Sequence, residues 1–174
     1  YLPASLAITN NYDSMARRIE TWFFPLMHHT NGFNVAGQRT STTTSMELGY
    51  ENTVNYGYHS AGHLVSASGV QGASTRFHEQ LGYIYDPAGN LTTRTNHNLV
   101  QSFTPNALNQ LSNVVRSGTL TVSGAAVAST IQVDGSTNGV GVYLSDFTFA
   151  KGTNTITGSN QTFTVVAQDG YGRN

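Results

Sequence analysis

The chain has 174 residues, with 8 lysines and arginines against 9 aspartates and glutamates and a formal net charge of −1. This balance offers no basic surface for nucleic acid or an anionic membrane, and the most apolar run, 22–27, is far shorter than the roughly 20 residues that cross a bilayer. Cysteine is absent, which excludes disulfides and thiolate metal sites, and the 18 glycines with only 10% charged residues are typical of a turn-rich β protein.

A six-residue phrase recurs five times in the first two thirds of the chain. It consists of an aromatic residue or proline, then Asp, Asn or His, then two variable residues, then Gly, Asn or Ala, and a polar residue; the copies are 12–17, 33–38, 58–63, 85–90 and 105–110. Their spacing of roughly 20 to 27 residues is typical of stacked supersecondary units. The pattern therefore predicts repeated units in which the turn is nearly constant and the segments between turns, the arms, vary in length.

The chemistry of the phrase predicts a tight β-hairpin turn. Asp or Asn at the first corner can fold its side chain back onto the backbone, and Pro87 fixes the φ that follows. The predicted corner residues are Asp13, Asn34, Asp86 and Asn106. The position before the last needs a positive φ, and its predicted residues are Gly37, Gly62, Gly89 and Asn109. Ala16 is a poor residue there, so we expect the first copy to be distorted.

Paired tyrosines precede two of the turns. Tyr56 with Tyr58, and Tyr83 with Tyr85, are two residues apart on predicted strands, so each pair points to one face. Such aromatic residues most often pack in a core, but an exposed aromatic stripe can also stack on sugar rings. The sequence therefore predicts an aromatic face with a possible ligand-stacking role for these four tyrosines.

The last third of the chain has a different sequence pattern and lacks the repeat phrase. Short runs that alternate apolar and polar residues are separated by Gly, Asn, Ser and Asp, which predicts short antiparallel strands. We therefore expect a repeat block over residues 1–116 and a small β-sandwich-like, Ig-like module over residues 117–174. No stretch shows helical periodicity, so little or no helix is expected.

Three short patterns suggest sites but are incomplete. His59 and His63 have a zinc-type spacing, yet the turn phrase lies between them where a helix would be needed. The segment 134–139 matches the first half of a calcium loop, but Ser145 stands where the bidentate Glu belongs, which favours a plain inter-strand turn. Ser60 lies in a segment that resembles the G-x-S-x-G nucleophile elbow, but the first glycine is one position too far away. Its place as a variable residue of the repeat phrase explains the serine. We expect no metal, no cofactor and no catalytic site.

The segment 85–91, Tyr-Asp-Pro-Ala-Gly-Asn-Leu, resembles the YD repeat of RHS-type proteins. Tyr12-Asp13 matches its start, and Gly37-Gln38-Arg39 and Asn109-Gln110-Leu111 match common variants of its end. The resemblance covers roughly residues 10–115. It implies β-hairpins that coil into a curved wall and, in RHS and teneurin-like proteins, a hollow shell that often encloses a toxic C-terminal segment. The tail resembles small modules of bacterial surface and carbohydrate-active proteins.

The expected function is a structural one. The resemblance implies a non-enzymatic segment of a bacterial RHS/YD-repeat protein, located outside the cell or on its surface, which forms part of an encapsulating or displayed β shell. Its expected partner is the rest of a longer parent chain or a second copy. The alternative is a cell-surface module that binds glycan through its tyrosine faces or its tail.

Overall fold

The computed structural model describes residues 7–46, 49–158 and 160–174. Within these ranges it contains fourteen β-strands and no helix. The strands of the repeat block are β1 (Ala7–Tyr12), β2 (Arg18–Phe24), β3 (Met27–Phe33), β4 (Arg39–Met46), β5 (Glu51–Tyr58), β6 (Leu64–Gln71), β7 (Ser74–Tyr85), β8 (Leu91–Asn96) and β9 (Leu99–Pro105). They are followed by β10 (Leu111–Ala125), β11 (Thr130–Val133), β12 (Val140–Tyr143), β13 (Thr148–Thr155) and β14 (Val165–Gln168).

The predicted all-β fold of stacked antiparallel hairpins is confirmed. Twelve strands form one sheet in the order β1 to β10, then β13 and β12, while β11 and β14 form a separate two-stranded sheet. Each of the first nine strands pairs with the next one along the chain, and β10 pairs with β9 and β13. Because each repeat phrase lies between an odd-numbered strand and the even-numbered strand that follows, all five turns lie along one side of the sheet. We call turns 13–17, 34–38, 59–63, 86–90 and 106–110 the turn row.

Polar ladders take the place of much of the apolar core near the first strands. Thr21 and Asn31 are buried although both are polar. The Thr21 hydroxyl donates to the side-chain oxygen of Asn10 over 2.8 Å, and Asn31 donates to the carbonyl of Arg18 over 3.2 Å. Thr42 donates in turn to Asn31 over 3.1 Å. Burial of a polar group lowers stability little when the group is hydrogen-bonded in this way. The threonine-rich arms can therefore form buried strands of the sheet.

Strand β10 joins the two predicted parts of the chain. Its first half, Leu111 to Gly118, pairs with β9, and its second half, Thr119 to Ala125, pairs with β13. The predicted division between residues 116 and 117 therefore falls inside one continuous strand, and it stays a prediction. The tail thus contributes β12 and β13 to the large sheet and forms a second, small sheet from β11 and β14.

The tail contains a compact apolar core. Ile131 and Val133 of β11 and Phe149 of β13 are buried together, with Val122 of β10 packed against them. The small β11–β14 sheet thus lies against the end of the large sheet. Among the described residues, no helix is long and apolar enough to span a membrane.

Candidate functional site

Every turn of the turn row has the same backbone geometry. The N–H of the first residue donates to the carbonyl of the fifth over 2.8–3.1 Å, and the N–H of the fourth donates to the carbonyl of the first over 2.9–3.0 Å. The fourth residues have positive φ angles: Ala16 59°, Gly37 80°, Gly62 88°, Gly89 85° and Asn109 59°. The predicted distortion of the first copy is wrong, since Ala16 adopts the left-handed conformation within the same hydrogen-bond pattern. A further turn of this kind closes residues 169–173.

The first residue of each turn also organises the turn through its side chain. Asp86 Oδ1 accepts the backbone N–H groups of Ala88 and Asn90 over 2.9 and 2.8 Å. Its pKa is lowered, chiefly by the hydrogen bond from the Asn90 side chain. The pKa of Asp13 is lowered as well, chiefly by the backbone N–H of Arg17. Both carboxylates are therefore occupied by their own turns, and neither is free to act as a general acid.

The first and fifth side chains of a turn are complementary. A guanidinium or amide on one faces a carboxylate or amide oxygen on the other, and the pairs are Asp13 with Arg17, Asn34 with Gln38, Asp86 with Asn90, and Asn106 with Gln110. In the third turn the rings of His59 and His63 take these places, with centroids 4.7 Å apart. The motif therefore closes each turn through a contact between its first and fifth side chains as well as through the backbone.

The fifth residue also reaches the next turn. Arg17 donates to the carbonyl of Asn34 over 3.2 Å, and Gln38 donates to the carbonyl of Gly62 over 3.0 Å. Asn90 donates to the side-chain oxygen of Asn109 over 2.9 Å. These contacts join the first turn to the second, the second to the third and the fourth to the fifth. At the remaining junction the His63 ring lies against Tyr85, with ring centroids 4.9 Å apart.

Two of the four tyrosines predicted to stack on ligands donate hydrogen bonds at these junctions. The Tyr58 hydroxyl donates to the carbonyl of Arg39 over 2.8 Å, and the Tyr85 hydroxyl donates to the carbonyl of Leu64 over 3.1 Å. In both cases the acceptor is the residue that follows the preceding turn. Tyr56 lies beside Tyr58 in an open cavity, whereas Tyr83 lies opposite Arg94 in the neighbouring strand. The four tyrosines therefore do not form a single platform.

The register between neighbouring repeats is constant although the arms differ in length. The eighth residue counted from the start of each turn pairs with the residue three before the next aromatic or proline position. The four pairs are Glu20 with Thr30, Ser41 with Asn55, Ser66 with Gly82, and Thr93 with Ser102. Insertions therefore fall at the opposite side of the sheet, away from the turn row.

A buried ionic cluster around Arg76 has no signal in the sequence. Arg76 is 1% exposed and contacts Glu79 through Nε and Oε2 at 2.6 Å and Asp146 through Nη2 and Oδ2 at 2.5 Å. Burial opposes its charge, but the hydrogen bonds to Asp146 and Glu79 outweigh burial and raise the pKa of Arg76. Burial likewise opposes ionisation of Asp146, yet the hydrogen bonds from Arg76 and Thr148 lower its pKa.

Tyr143 completes this cluster and attaches β12 to β7. Its ring lies 4.8 Å from the Arg76 guanidinium carbon, and its hydroxyl donates to the carbonyl of Thr75 over 2.8 Å. Burial, followed by the nearby charge of Arg76, lowers the pKa of His78. With both carboxylates bound to one guanidinium, the cluster acts as a clamp between the repeat block and the tail.

The incomplete metal patterns have local structural roles. His59 Nδ1 accepts the backbone N–H of Ala61 over 2.9 Å within its own turn. Asp134 Oδ1 accepts the N–H of Thr164 over 2.8 Å, which joins the segment 134–139 to the residues that precede β14. Among the residues that the structure describes, no three His, Cys, Asp or Glu side chains are grouped to hold a metal ion.

Comparison with known proteins gives limited similarity. No protein-family model matches the chain, and no curated protein does. Among solved structures, the chain is similar to one described as the crystal structure of TcdB2-TccC3-Cdc42, with 15% identity and a TM-score of 0.33. The match covers 73% of this chain and 7% of that chain.

Proposed function

We propose that this chain is a non-enzymatic structural segment of an RHS/YD-type β shell. The observation that supports this role is the repeated junction: neighbouring hairpins share the same register and contact each other through the same positions along the turn row. Because every hairpin contacts its neighbour in the same way, further hairpins can be added through the same type of interface, as in other repeat proteins. The sequence resemblance adds the expectation of an encapsulating or displayed wall, outside the cell or on its surface.

The two open edges of the repeat block are complementary under this scheme. Strand β1 is exposed throughout, and so is the first half of β10. Tyr12 is 58% exposed and corresponds to Tyr58 and Tyr85, so its hydroxyl can donate to the residue that follows another turn. Gln110 and Leu111 offer the matching fifth side chain and carbonyl. The partner is therefore another hairpin of the same type, from a longer parent chain or from a second copy.

Engineered disulfides test this pairing directly, because the chain has no cysteine. The constant register places Asn113 of one copy opposite Thr9 of the next. We expect Thr9→Cys with Asn113→Cys to form covalent head-to-tail oligomers on mild oxidation, as measured by non-reducing gels and light scattering. The matched control, Thr9→Cys with Ser117→Cys, shifts the register by four residues, roughly 13 Å. Equal cross-linking of both variants, or none in either, would contradict the shell role.

Carbohydrate binding is the second candidate function. It is favoured by an open cavity of about 370 Å³ in which Tyr56 and Tyr58 lie with Phe33 and Leu64. Tyr58 uses its hydroxyl in the junction, but the ring faces remain available for contact. A glycan array with the chain and with Tyr56→Ala tests this function. Binding of a defined sugar that the substitution abolishes supports a surface module, and an array without binding removes this candidate.

A further inference from the structure

A row of four polar side chains crosses one face of the large sheet. Tyr83 pairs with Arg94, Arg94 with Gln101, and Gln101 with Arg116, on strands β7 to β10. Directly paired residues of an antiparallel sheet point to the same face. Arg94 and Arg116 are two strands apart, which corresponds to roughly 10 Å at the usual strand spacing.

The two arginines of this row carry uncompensated charge. Arg17, Arg76 and Arg173 each form an ion pair with a carboxylate, and within the described part of the chain Arg94 and Arg116, like Arg18 and Arg39, form none. The Nε atom of Arg94 is buried and has no hydrogen-bond partner. The guanidinium of Arg94 therefore has donor capacity that no group of the described residues uses.

A cavity of about 520 Å³ opens beside the row. Gln101 and Arg116 form part of its polar lining. The apolar part of the lining consists of Leu99, Leu120, Ile156 and Phe163. No Asp or Glu belongs to the lining among the described residues. The cavity is therefore large enough for a ligand, positive on one side and apolar on the other.

We propose that the row and its cavity bind an extended acidic polypeptide segment that also carries apolar side chains. A guanidinium receives a carboxylate through two parallel hydrogen bonds, so Arg94 and Arg116 each bind one acidic side chain. An extended chain advances about 3.3 Å per residue and its side chains alternate between faces, so acidic residues two positions apart, roughly 7 Å, reach both arginines through their flexible side chains.

The other residues of the site agree with a peptide ligand. Gln101 lies between the arginines and can both donate to and accept from a peptide group. The aliphatic side chains opposite suit leucine or phenylalanine better than a sugar ring, which prefers a flat aromatic surface. The site lies within β7 to β10 and the tail, so it does not depend on the shell role.

Fluorescence anisotropy tests the site with a short labelled peptide of alternating glutamate and leucine. We expect binding that weakens with salt, about tenfold weaker binding for Arg116→Gln and for Arg94→Gln, and unchanged binding for the control Arg18→Gln. Arg94→Lys keeps the charge and should fall between the native chain and Arg94→Gln. Arg116 is exposed, so its variant keeps the test valid if a variant of Arg94 fails to fold.

Three outcomes would overturn the proposal. The first is equal binding of the matched peptide with glutamine in place of glutamate. The second is an equal loss of affinity in Arg18→Gln, which would indicate non-specific attraction to positive charge. The third is binding of a hyaluronate oligosaccharide through Arg116 with no binding of the acidic peptide, which would assign the site to acidic carbohydrate.

Discussion

Tyr85 on β7 donates its hydroxyl to the carbonyl oxygen of Leu64 at the start of β6, over 3.1 Å, and so joins one turn to the turn before it. Tyr58 makes the same contact with Arg39 one repeat earlier. Phe33 occupies the equivalent position without a hydroxyl, and there the Arg17 guanidinium lies over the ring at 4.8 Å. The junction thus has two chemical versions that occupy one place in the repeat.

We expect Tyr85→Phe to lower the free energy of unfolding by about 1 kcal/mol, because the Leu64 carbonyl loses its side-chain donor while the ring packing is kept. Urea denaturation followed by circular dichroism measures the change. Tyr171→Phe is the matched control, since Tyr171 is 87% exposed and should be neutral. Equal effects of the two substitutions would show that the hydroxyl contact does not stabilise the junction.

Gly89 has a φ of 85°, a conformation that β-branched residues avoid. We expect Gly89→Val to lower the free energy of unfolding by about 1–2 kcal/mol or more, and Gly89→Asn to have a mild effect. A side chain there also comes within 3.4 Å of the His63 ring, which can shift. Equal melting temperatures of the two variants would contradict the role of left-handed backbone in the turn.

Ala16 offers the reverse experiment, because it has a φ of 59° without being glycine. The left-handed conformation costs an alanine about 1–2 kcal/mol, which a glycine would avoid. Glycine also makes the unfolded chain more flexible, and this offsets part of the gain in stability. We therefore expect Ala16→Gly to raise the free energy of unfolding by about 0.5–1 kcal/mol. Urea midpoints measure this change, and Ala88→Gly in the fourth turn is the control, since Ala88 has no positive φ. A loss of stability in Ala16→Gly would contradict the expectation.

The turns other than the first could be predicted from the sequence, whereas the long-range contacts could not. Turn chemistry depends on residues within five positions, so Asp86, Pro87 and Gly89 could be identified directly. Propensity alone ranks Ala16 poorly and predicts a distorted first turn, whereas in the structure the Asp13 side chain and backbone hold that turn in place. Local hydrogen bonds overrode the intrinsic preference.

The Arg76 cluster could not have been predicted, because Arg76 and Asp146 are 70 residues apart along the chain. Nothing in either local sequence distinguishes them from surface charges. The same holds for the row of Arg94, Gln101 and Arg116, which exists only once the register of three hairpin strands is known. Periodicity could predict strands, but side-chain partners across several strands depend on bulges and arm lengths that vary from repeat to repeat.

The turn carboxylates predict a dependence of stability on pH. The pKa of Asp86 is lowered in the folded chain, so its contribution is fully present above the pKa of the unfolded chain and is lost as the pH falls through the folded value, below about pH 4. We expect Asp86→Asn to reduce this loss and to change stability at neutral pH little, since Asn34 and Asn106 serve in equivalent places. Urea midpoints at about pH 6 and about pH 2.5 measure it. Asn106→Asp is the matched control and should add acid sensitivity; an unchanged pH profile in both would contradict the prediction.

The clamp between repeat block and tail is expected to depend on Asp146. Asp146→Ala leaves the buried Arg76 with Glu79 as its one remaining carboxylate. Because Asp146 is 36% exposed and partly hydrated, we expect a loss of about 1–3 kcal/mol, below the full cost of a buried unpaired charge. Arg17→Gln, which breaks a more exposed pair within one turn, is the control and should cost less than about 1 kcal/mol.

Hydrogen exchange distinguishes a local clamp from a general loss of stability. In Asp146→Ala we expect faster exchange in β12 and β13, because Tyr143 and Ser145 are held to β7 through the same guanidinium. Exchange in the turn row should stay as in the native chain, since its hydrogen bonds close within and between the turns themselves. Uniform acceleration over the whole sheet would instead mean that Arg76 stabilises the fold globally and does not act as a clamp for the tail.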